Sequence, residues 1–168
     1  ADLQDRLDDV KQSPLPYTYQ QPELWWRNLR KANADDFDYS PVTAINEEVF
    51  SKVFDAMMKW PDDFKPLRKV EKIIQDKMKL FESEQKLDWA SGELLAYGSL
   101  LVDGHDVRMS GQDVCRGTFS HRHAVLRDEN TDADYNRLSR IPDANGKFRI
   151  FNSFLSEYGV LGFEYGYG

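Results

Sequence analysis

Residues 156–167 read Ser-Glu-Tyr-Gly-Val-Leu-Gly-Phe-Glu-Tyr-Gly-Tyr, and the apolar run Phe148-Arg149-Ile150-Phe151 leads into them. This order predicts a buried strand that turns into a helix near Glu157. Three glycines fall on one face of that helix, at Gly159, Gly162 and Gly166. Each of them lowers helix stability by roughly 1 kcal/mol relative to alanine, so we expect close approach of another backbone. At a tight contact between two helices Glu157 would be poorly solvated, which raises the pKa of its carboxyl group and suits a residue that shares a proton with a ligand.

The composition is that of a soluble globular protein. The chain has 168 residues, of which 40% are hydrophobic and 30% charged, enough for one domain with a core. Its net charge of −7 argues against binding to nucleic acid or to an anionic membrane, and it contains no run of 18 apolar residues. Cys115 is the single cysteine, so no internal disulfide can form and a reducing compartment is expected.

The sequence predicts three regions along the chain. Residues 1–41, with their prolines and aromatic residues, form an extended leader with short helices. Residues 42–86 form a helical linker region of two helices, the first capped by Thr43 or Asn46. Residues 87–168 begin an α/β domain, opening with a helix that Asp88 caps and Gly104 ends.

The α/β region alternates strand-like and polar segments. We expect a strand at 106–110, a functional loop at 112–123, and either a strand or a buried loop at 124–126. A polar excursion over 127–146 precedes the strand at 148–151. A strand, a crossover, a second strand and a helix in this order indicate a parallel sheet. Because a sheet of two strands is marginal by itself, we expect the chain to be a piece of a larger protein or to need a partner.

Two runs carry a family resemblance. Residues 116–126 read Arg-Gly-Thr-Phe-Ser-His-Arg-His-Ala-Val-Leu, and residues 156–167 supply the second run. Together with the Leu87-Asp88-Trp89-Ala90 opening, they resemble the first, decarboxylating component of the 2-oxoglutarate dehydrogenase complex. They match the start of its transketolase-like pyrimidine-binding domain. The resemblance covers most of the chain and is strongest from Leu87 to Tyr167.

The resemblance implies thiamine diphosphate chemistry with magnesium. Glu157 matches the family's glutamate that hydrogen-bonds the aminopyrimidine ring and favours its reactive tautomer. His123 matches an active-site residue near the substrate or the intermediate. Judged by position alone, Glu157 also fits a first-turn residue favoured by the helix dipole, and His123 fits a hydrogen-bonded loop anchor.

Other side chains near these runs have two interpretations. Arg116 and Arg122 could bind the dicarboxylate substrate, or could form structural ion pairs with the surplus acids. Glu164 matches a packing or interface position. His121 and His123 would point to one side of an extended segment, but this spacing is a weak zinc signal, and no metal site is predicted within the chain. Cys115 fits a packing residue.

The resemblance also implies partners. The intact enzyme would be a homodimer that decarboxylates 2-oxoglutarate and passes the succinyl group to a lipoyl-bearing succinyltransferase, in bacterial cytoplasm or the mitochondrial matrix. The family's magnesium-binding Gly-Asp-Gly motif is absent from the sequence, so the chain by itself is expected to be inactive. The alternatives are an enzyme for pyruvate or a branched 2-oxo acid, and a non-catalytic interaction module that docks through Tyr19, Trp25 and Trp26.

Overall fold

A computed structural model describes residues 2–12 and 26–167, and the chain divides into two units, Ala1–Thr43 and Ala44–Gly168. The first unit contains helix α1 (Asp2–Gln12), whose side chains are all exposed, and the short 3-10 helices Trp26–Asn28 and Ala34–Phe37. In the second of these, the Asn33 side chain and the Asp36 carboxylate cap each other's backbone N–H groups. The predicted connector at 13–22, Tyr19, Trp25 and the Trp26 side chain lie outside the described residues.

Four helices of the second unit begin close to where the sequence predicts them. They are α2 (Glu47–Met58), α3 (Arg68–Glu84), α4 (Trp89–Val102) and α5 (Glu157–Tyr167). The Asn46 side chain accepts a hydrogen bond from the Val49 amide at 2.8 Å, and Asp88 accepts one from the Ser91 amide at 2.8 Å. Each cap satisfies an amide that has no partner within its helix, which fixes the first turn. The predicted caps are therefore confirmed.

The strands form two small sheets. The strands are β1 (Val107–Gln112), β2 (Val125–Arg127), β3 (Asp134–Asn136) and β4 (Phe148–Ser153). Strands β1 and β4 pair in parallel, from Val107 opposite Phe148 to Gln112 opposite Ser153, which confirms the predicted parallel sheet. Strands β2 and β3 pair antiparallel, and a 3-10 helix, Arg137–Arg140, follows β3. Strand β2 agrees with the strand alternative predicted at 124–126, whereas β3 lies in the segment that the sequence predicts only as a polar excursion.

The core lies where α2, α3 and α4 pack with the two sheets. Its most buried apolar side chains include Val53, Met57, Ile74, Leu94, Leu101, Leu126 and Leu138. Helices α2 and α4 approach closely at Gly98, where an added Cβ would overlap Val53 Cγ1. None of the described helices combines the length and the apolar composition that a membrane span requires.

Helix α5 is attached to the first sheet through its second half. Glu164 accepts two hydrogen bonds from Arg108 of β1, at 2.6 and 2.9 Å. The same guanidinium lies 3.8 Å from the centroid of the Tyr167 ring, a cation–π contact. An added Cβ at Gly162 or Gly166 would meet nothing within 4 Å. The predicted close-packed glycine seam is therefore not formed among the described residues.

Candidate functional site

The predicted site residues belong to one edge of the parallel sheet. Because β1 and β4 run parallel, their carboxyl ends meet at the same edge, the usual place for a ligand in α/β folds. The segment 113–124, called here the 113–124 loop, follows β1. Glu157 begins α5, which follows β4 after three residues. The topology thus brings the two motif-bearing segments to one edge.

The 113–124 loop is tightly turned rather than extended. Asp113, Ser120 and His123 have φ angles of 52°, 55° and 45°, in the left-handed region that residues with a Cβ seldom adopt. A Cβ at Gly117 would lie 2.5 Å from the His121 ring, so a side chain at this position would collide with it. The strand-like geometry needed to place both imidazoles on one side is therefore absent. Within the described residues, no three potential metal ligands from His, Cys, Asp and Glu converge.

His123 is buried, with 6% of its surface exposed. Its Nε2 lies 3.1 Å from both the hydroxyl and the carbonyl oxygen of Ser120. Because a carbonyl can only accept, the geometry assigns the ring proton to Nε2 and leaves Nδ1 as an acceptor. Burial lowers the pKa of His123, so the imidazole is neutral at pH 7.

The Arg122 guanidinium is committed to the body of the fold. It donates to the Glu93 carboxylate of α4 through Nε and Nη2, both at 2.9 Å, and to the Val114 carbonyl through Nη1 at 2.8 Å. Tyr97 donates a further hydrogen bond to Glu93 at 3.0 Å. The half-buried Glu93 of α4 thus holds Arg122 in a structural ion pair. Of the two roles that the sequence leaves open for Arg122, the geometry favours the structural one.

Arg116 and His123 share a cleft of about 330 Å³, called here the carboxyl-edge cleft. Its lining also includes Leu67, Val70, Asp113, Cys115, Val125, Leu126, Arg127, Asp134 and Asn152. Arg116 donates to Asp113 at 2.5 and 2.9 Å while remaining half-exposed, so its guanidinium can reach a bound anion. A more apolar cleft of about 430 Å³, beside Trp60 and Tyr135, contains none of the predicted site residues.

Asn152 is a cleft residue that sequence reasoning missed. Its side-chain oxygen accepts a hydrogen bond from the Cys115 amide at 3.0 Å and so joins β4 to the loop after β1. The sequence signal that could have identified Asn152 is its position as a polar residue near the carboxyl end of a predicted parallel strand. Burial raises the pKa of the neighbouring Cys115 thiol, which therefore stays protonated and agrees with the expected packing residue.

Glu157 is exposed, and its carboxylate makes no hydrogen bond or ion pair with another described residue. The expectation of a poorly solvated carboxylate is therefore not met among the described residues, where Glu157 is exposed and the face of α5 at Gly162 and Gly166 has no neighbour within 4 Å of an added Cβ. Glu164, two turns further on, is instead paired with Arg108, which agrees with the expected packing position. The two carboxylates of the motif thus differ: Glu164 is engaged and Glu157 is free to accept a hydrogen bond.

Comparison with known proteins places this geometry in a family. The chain is 45% identical over 125 residues to the 2-oxoglutarate dehydrogenase, mitochondrial, of Saccharomyces cerevisiae, which covers 74% of the chain and 12% of that protein. It is 41% identical over 165 residues to the 2-oxoglutarate dehydrogenase E1 component of Staphylococcus haemolyticus, 98% of the chain and 17% of that protein. The Shouchella clausii E1 component is 45% identical over 125 residues, 74% of the chain and 13% of its own length.

The chain therefore spans less than a fifth of the length of these relatives. The family model described as transketolase, pyrimidine binding domain, matches residues 85–168, which include β1, the 113–124 loop, β4 and Glu157. The matched half of the chain is the part that builds the carboxyl edge, and the chain belongs to the transketolase pyrimidine-binding domain family.

Proposed function

We propose that the chain is part of a thiamine diphosphate-dependent 2-oxoglutarate dehydrogenase component. That enzyme decarboxylates 2-oxoglutarate and passes the succinyl group to a lipoyl carrier in the citric acid cycle. The names of the relatives support the substrate. The observation that carries the proposal is the arrangement at the carboxyl edge of the sheet. Glu157, whose carboxylate has no partner among the described residues, follows β4, and residues of the carboxyl-edge cleft follow the neighbouring strand β1.

Glu157 is proposed to hold the cofactor. A carboxylate without a partner at the start of a helix fits the nitrogen-bound proton of an aminopyrimidine, since a charged acceptor strengthens such a hydrogen bond. When bound, thiamine diphosphate supplies an electron sink for the carbanion left by decarboxylation. The part played by Glu157 is to accept and hold a proton at its carboxylate oxygen. Magnesium would be held by residues outside these 168, because the sequence lacks the Gly-Asp-Gly motif.

Arg116 and His123 are proposed to act on the substrate side. Arg116 carries an always-charged fork that matches a carboxylate, and its exposed position allows it to exchange Asp113 for a substrate carboxylate. His123 is neutral at pH 7 with Nδ1 free to accept a proton. We assign Arg122 to positioning, because its donors already serve Glu93 and Val114.

The proposed assembly is a homodimer that works with a lipoyl-bearing succinyltransferase. The open face of α5 at Gly162 and Gly166 supports an interface in the intact protein, since an added Cβ at either glycine would meet no described residue within 4 Å. We propose the bacterial cytoplasm or the mitochondrial matrix as its location. We also propose that residues 1–41 are a leader, 42–86 a helical linker region and 87–168 the start of the pyrimidine-binding domain. Since α2 and α3 share the core of α4, the second boundary would separate regions of sequence rather than folding units.

The decisive experiment changes Glu157→Gln in the intact enzyme. The amide cannot accept and hold a proton as the carboxylate does, so kcat should fall by about 100-fold or more while the dimer mass is unchanged. Glu82→Gln, an exposed carboxylate on α3, is the matched control and should retain full turnover. Undiminished turnover in Glu157→Gln would refute the proposal.

Two further measurements separate the alternatives. Comparing kcat/KM for 2-oxoglutarate, pyruvate and a branched 2-oxo acid in the intact enzyme identifies the substrate, and we expect 2-oxoglutarate to be preferred. The 168-residue chain with thiamine diphosphate and magnesium should show no turnover, and detectable decarboxylation would contradict the proposed division of the site. If the chain is instead a non-catalytic interaction module, Glu157→Gln should leave the turnover of the intact enzyme unchanged.

A further inference from the structure

Arg137 is a buried cation without an acidic partner. Only 1% of its surface is exposed, and no carboxylate among the described residues lies within ion-pairing distance of it. Its guanidinium donates instead to two backbone carbonyls. Nε donates to the Met57 oxygen at 2.6 Å, Nη2 donates to the same oxygen, and Nη1 donates to the His123 oxygen at 3.2 Å. Such a buried charge is costly unless the surroundings compensate it.

The end of α2 provides that compensation. Met57 lies in the last turn of α2, and the residue four positions on is Pro61, which has no N–H to donate back. The Met57 carbonyl is therefore an orphan acceptor at the negative end of a helix dipole, where a cation is stabilised. Burial lowers the pKa of Arg137 to about 10, so the side chain still carries its charge at neutral pH.

The same arginine holds two successive backbone carbonyls, those of His123 and Ala124. Its side chain binds the His123 carbonyl, and its own backbone N–H donates to the Ala124 carbonyl at 3.0 Å. The His123 amide donates to the Arg116 carbonyl at 2.9 Å. His123 thus keeps a left-handed φ of 45°, a conformation that persists only where the surroundings determine it.

We infer that Arg137 is a positioning residue: by binding the Met57 and His123 carbonyls it locks His123 in its left-handed conformation and so places the imidazole in the carboxyl-edge cleft. The placement stands on the geometry alone. Only its value for proton handling rests on the proposed function.

Charged groups from several elements face His123 and bear on its titration. Lys77 of α3, Arg116 of the loop and Arg137 each disfavour the imidazolium, in addition to burial. The other titratable or charged residues that line the cleft are Asp113, Cys115, Arg127 and Asp134. Removing the Arg137 charge makes protonation of the imidazole easier, whereas loosening the His123 backbone weakens the bond to the Ser120 carbonyl, whose loss makes protonation harder.

The test uses Arg137→Met in the 168-residue chain, followed by the NMR pH titration of the His123 ring. The ring signature of the Nε2–H tautomer should be lost, because the ring would no longer be held against the Ser120 carbonyl. Arg140→Met is the matched control, since Arg140 lies on the same 3-10 helix but is exposed and contacts the Tyr135 ring. It should leave the titration unchanged. Arg137→Lys, which keeps a charged donor for these carbonyls, should restore part of the Nε2–H signature. A folded Arg137→Met chain that keeps the wild-type tautomer would overturn the inference.

A measurement on the unmutated chain covers the case in which Arg137→Met fails to fold. The Arg137 Nε–H should exchange slowly with solvent and show a through-hydrogen-bond coupling to the Met57 carbonyl carbon. Exchange of Arg137 as fast as that of Arg140 would overturn the inference. None of these readouts involves thiamine or turnover. Failure of the proposed function would therefore leave them unchanged, and failure of the positioning role would be seen in them alone.

Discussion

Gly98→Ala should destabilise the fold although alanine is the better helix former. The new Cβ would overlap Val53 Cγ1 and lie 3.1 Å from Val53 Cγ2 and 3.2 Å from Ile141 Cδ1. Val53 is fully buried and β-branched within a helix, so it strongly prefers a single rotamer and cannot easily turn away. Overpacking of this kind costs about 1–3 kcal/mol, against a helix-propensity gain of about 1 kcal/mol. We expect a net loss of about 1 kcal/mol in the free energy of unfolding, or about 3 °C in Tm.

Urea unfolding followed by circular dichroism measures this loss, and the same helix offers a control. An added Cβ at Gly92 meets nothing within 4 Å, so Gly92→Ala should gain about 0.5 kcal/mol. Val53→Ala removes both clashing methyl groups, and the double variant with Gly98→Ala should be about 2 kcal/mol more stable than the sum of its parts. A stabilised Gly98→Ala, or additive effects in the double variant, would refute the argument from contact between α2 and α4.

Three other perturbations follow from the contacts described. Asp128→Asn should lower the urea midpoint at pH 7, because backbone amides of Lys65 and Thr131 stabilise the charged carboxylate and hold the pKa of Asp128 at about 2. The stability that the carboxylate contributes is present above its unfolded pKa and is lost as pH falls from about 4 to about 2. Glu93→Gln should cost about 2 kcal/mol of unfolding free energy, since it leaves Arg122 without its carboxylate. Gly162→Leu should not destabilise the chain, because the position is open and leucine favours a helix over glycine, but it should reduce the dimer fraction of the intact enzyme, measured by light scattering.

Each of these has its own contrary result. An Asp128→Asn deficit that is as large at pH 3 as at pH 7 would show that the charged form of the carboxylate is not what the amides stabilise. A neutral Glu93→Gln would mean that the half-buried pair contributes no more than a surface ion pair. A full dimer fraction in Gly162→Leu would exclude the glycine face from the interface.

The elements that local chemistry specifies could be predicted from the sequence. Asn46 and Asp88 each predict the start of a helix, because a short polar side chain can accept a hydrogen bond from a backbone amide of the first turn. Both caps are found. The parallel pairing of β1 and β4 was predictable because the segment between them can serve as a crossover. Strand β3 was not, since its three residues, Asp134–Asn136, carry no apolar alternation and depend on pairing with β2.

The candidate site was predicted in its residues more than in its geometry. Arg116 and His123 were selected by motif, and the fold brings them into one cleft. The partners of Arg122 and Arg137 could not be read from the sequence, because Glu93 and Met57 lie 29 and 80 residues away along the chain. Nothing in the local pattern specifies such long-range contacts. The open environment of Glu157 was also missed, since the sequence argument assumed a helix neighbour that the described residues do not supply.

Because the ion pair with Arg108 holds one end of α5, a small tilt of the helix would displace its other end. The Glu164 end is fastened to β1, while Glu157 lies seven residues away, at a distance of about 10 Å along the axis. A tilt of about 10° about that fastening would carry the Glu157 carboxylate by about 2 Å, and a misplacement of about 1 Å can cost a reaction 100-fold. The partly exposed Arg108–Glu164 ion pair would therefore fix the position of the Glu157 carboxylate, on which the proposed proton sharing depends.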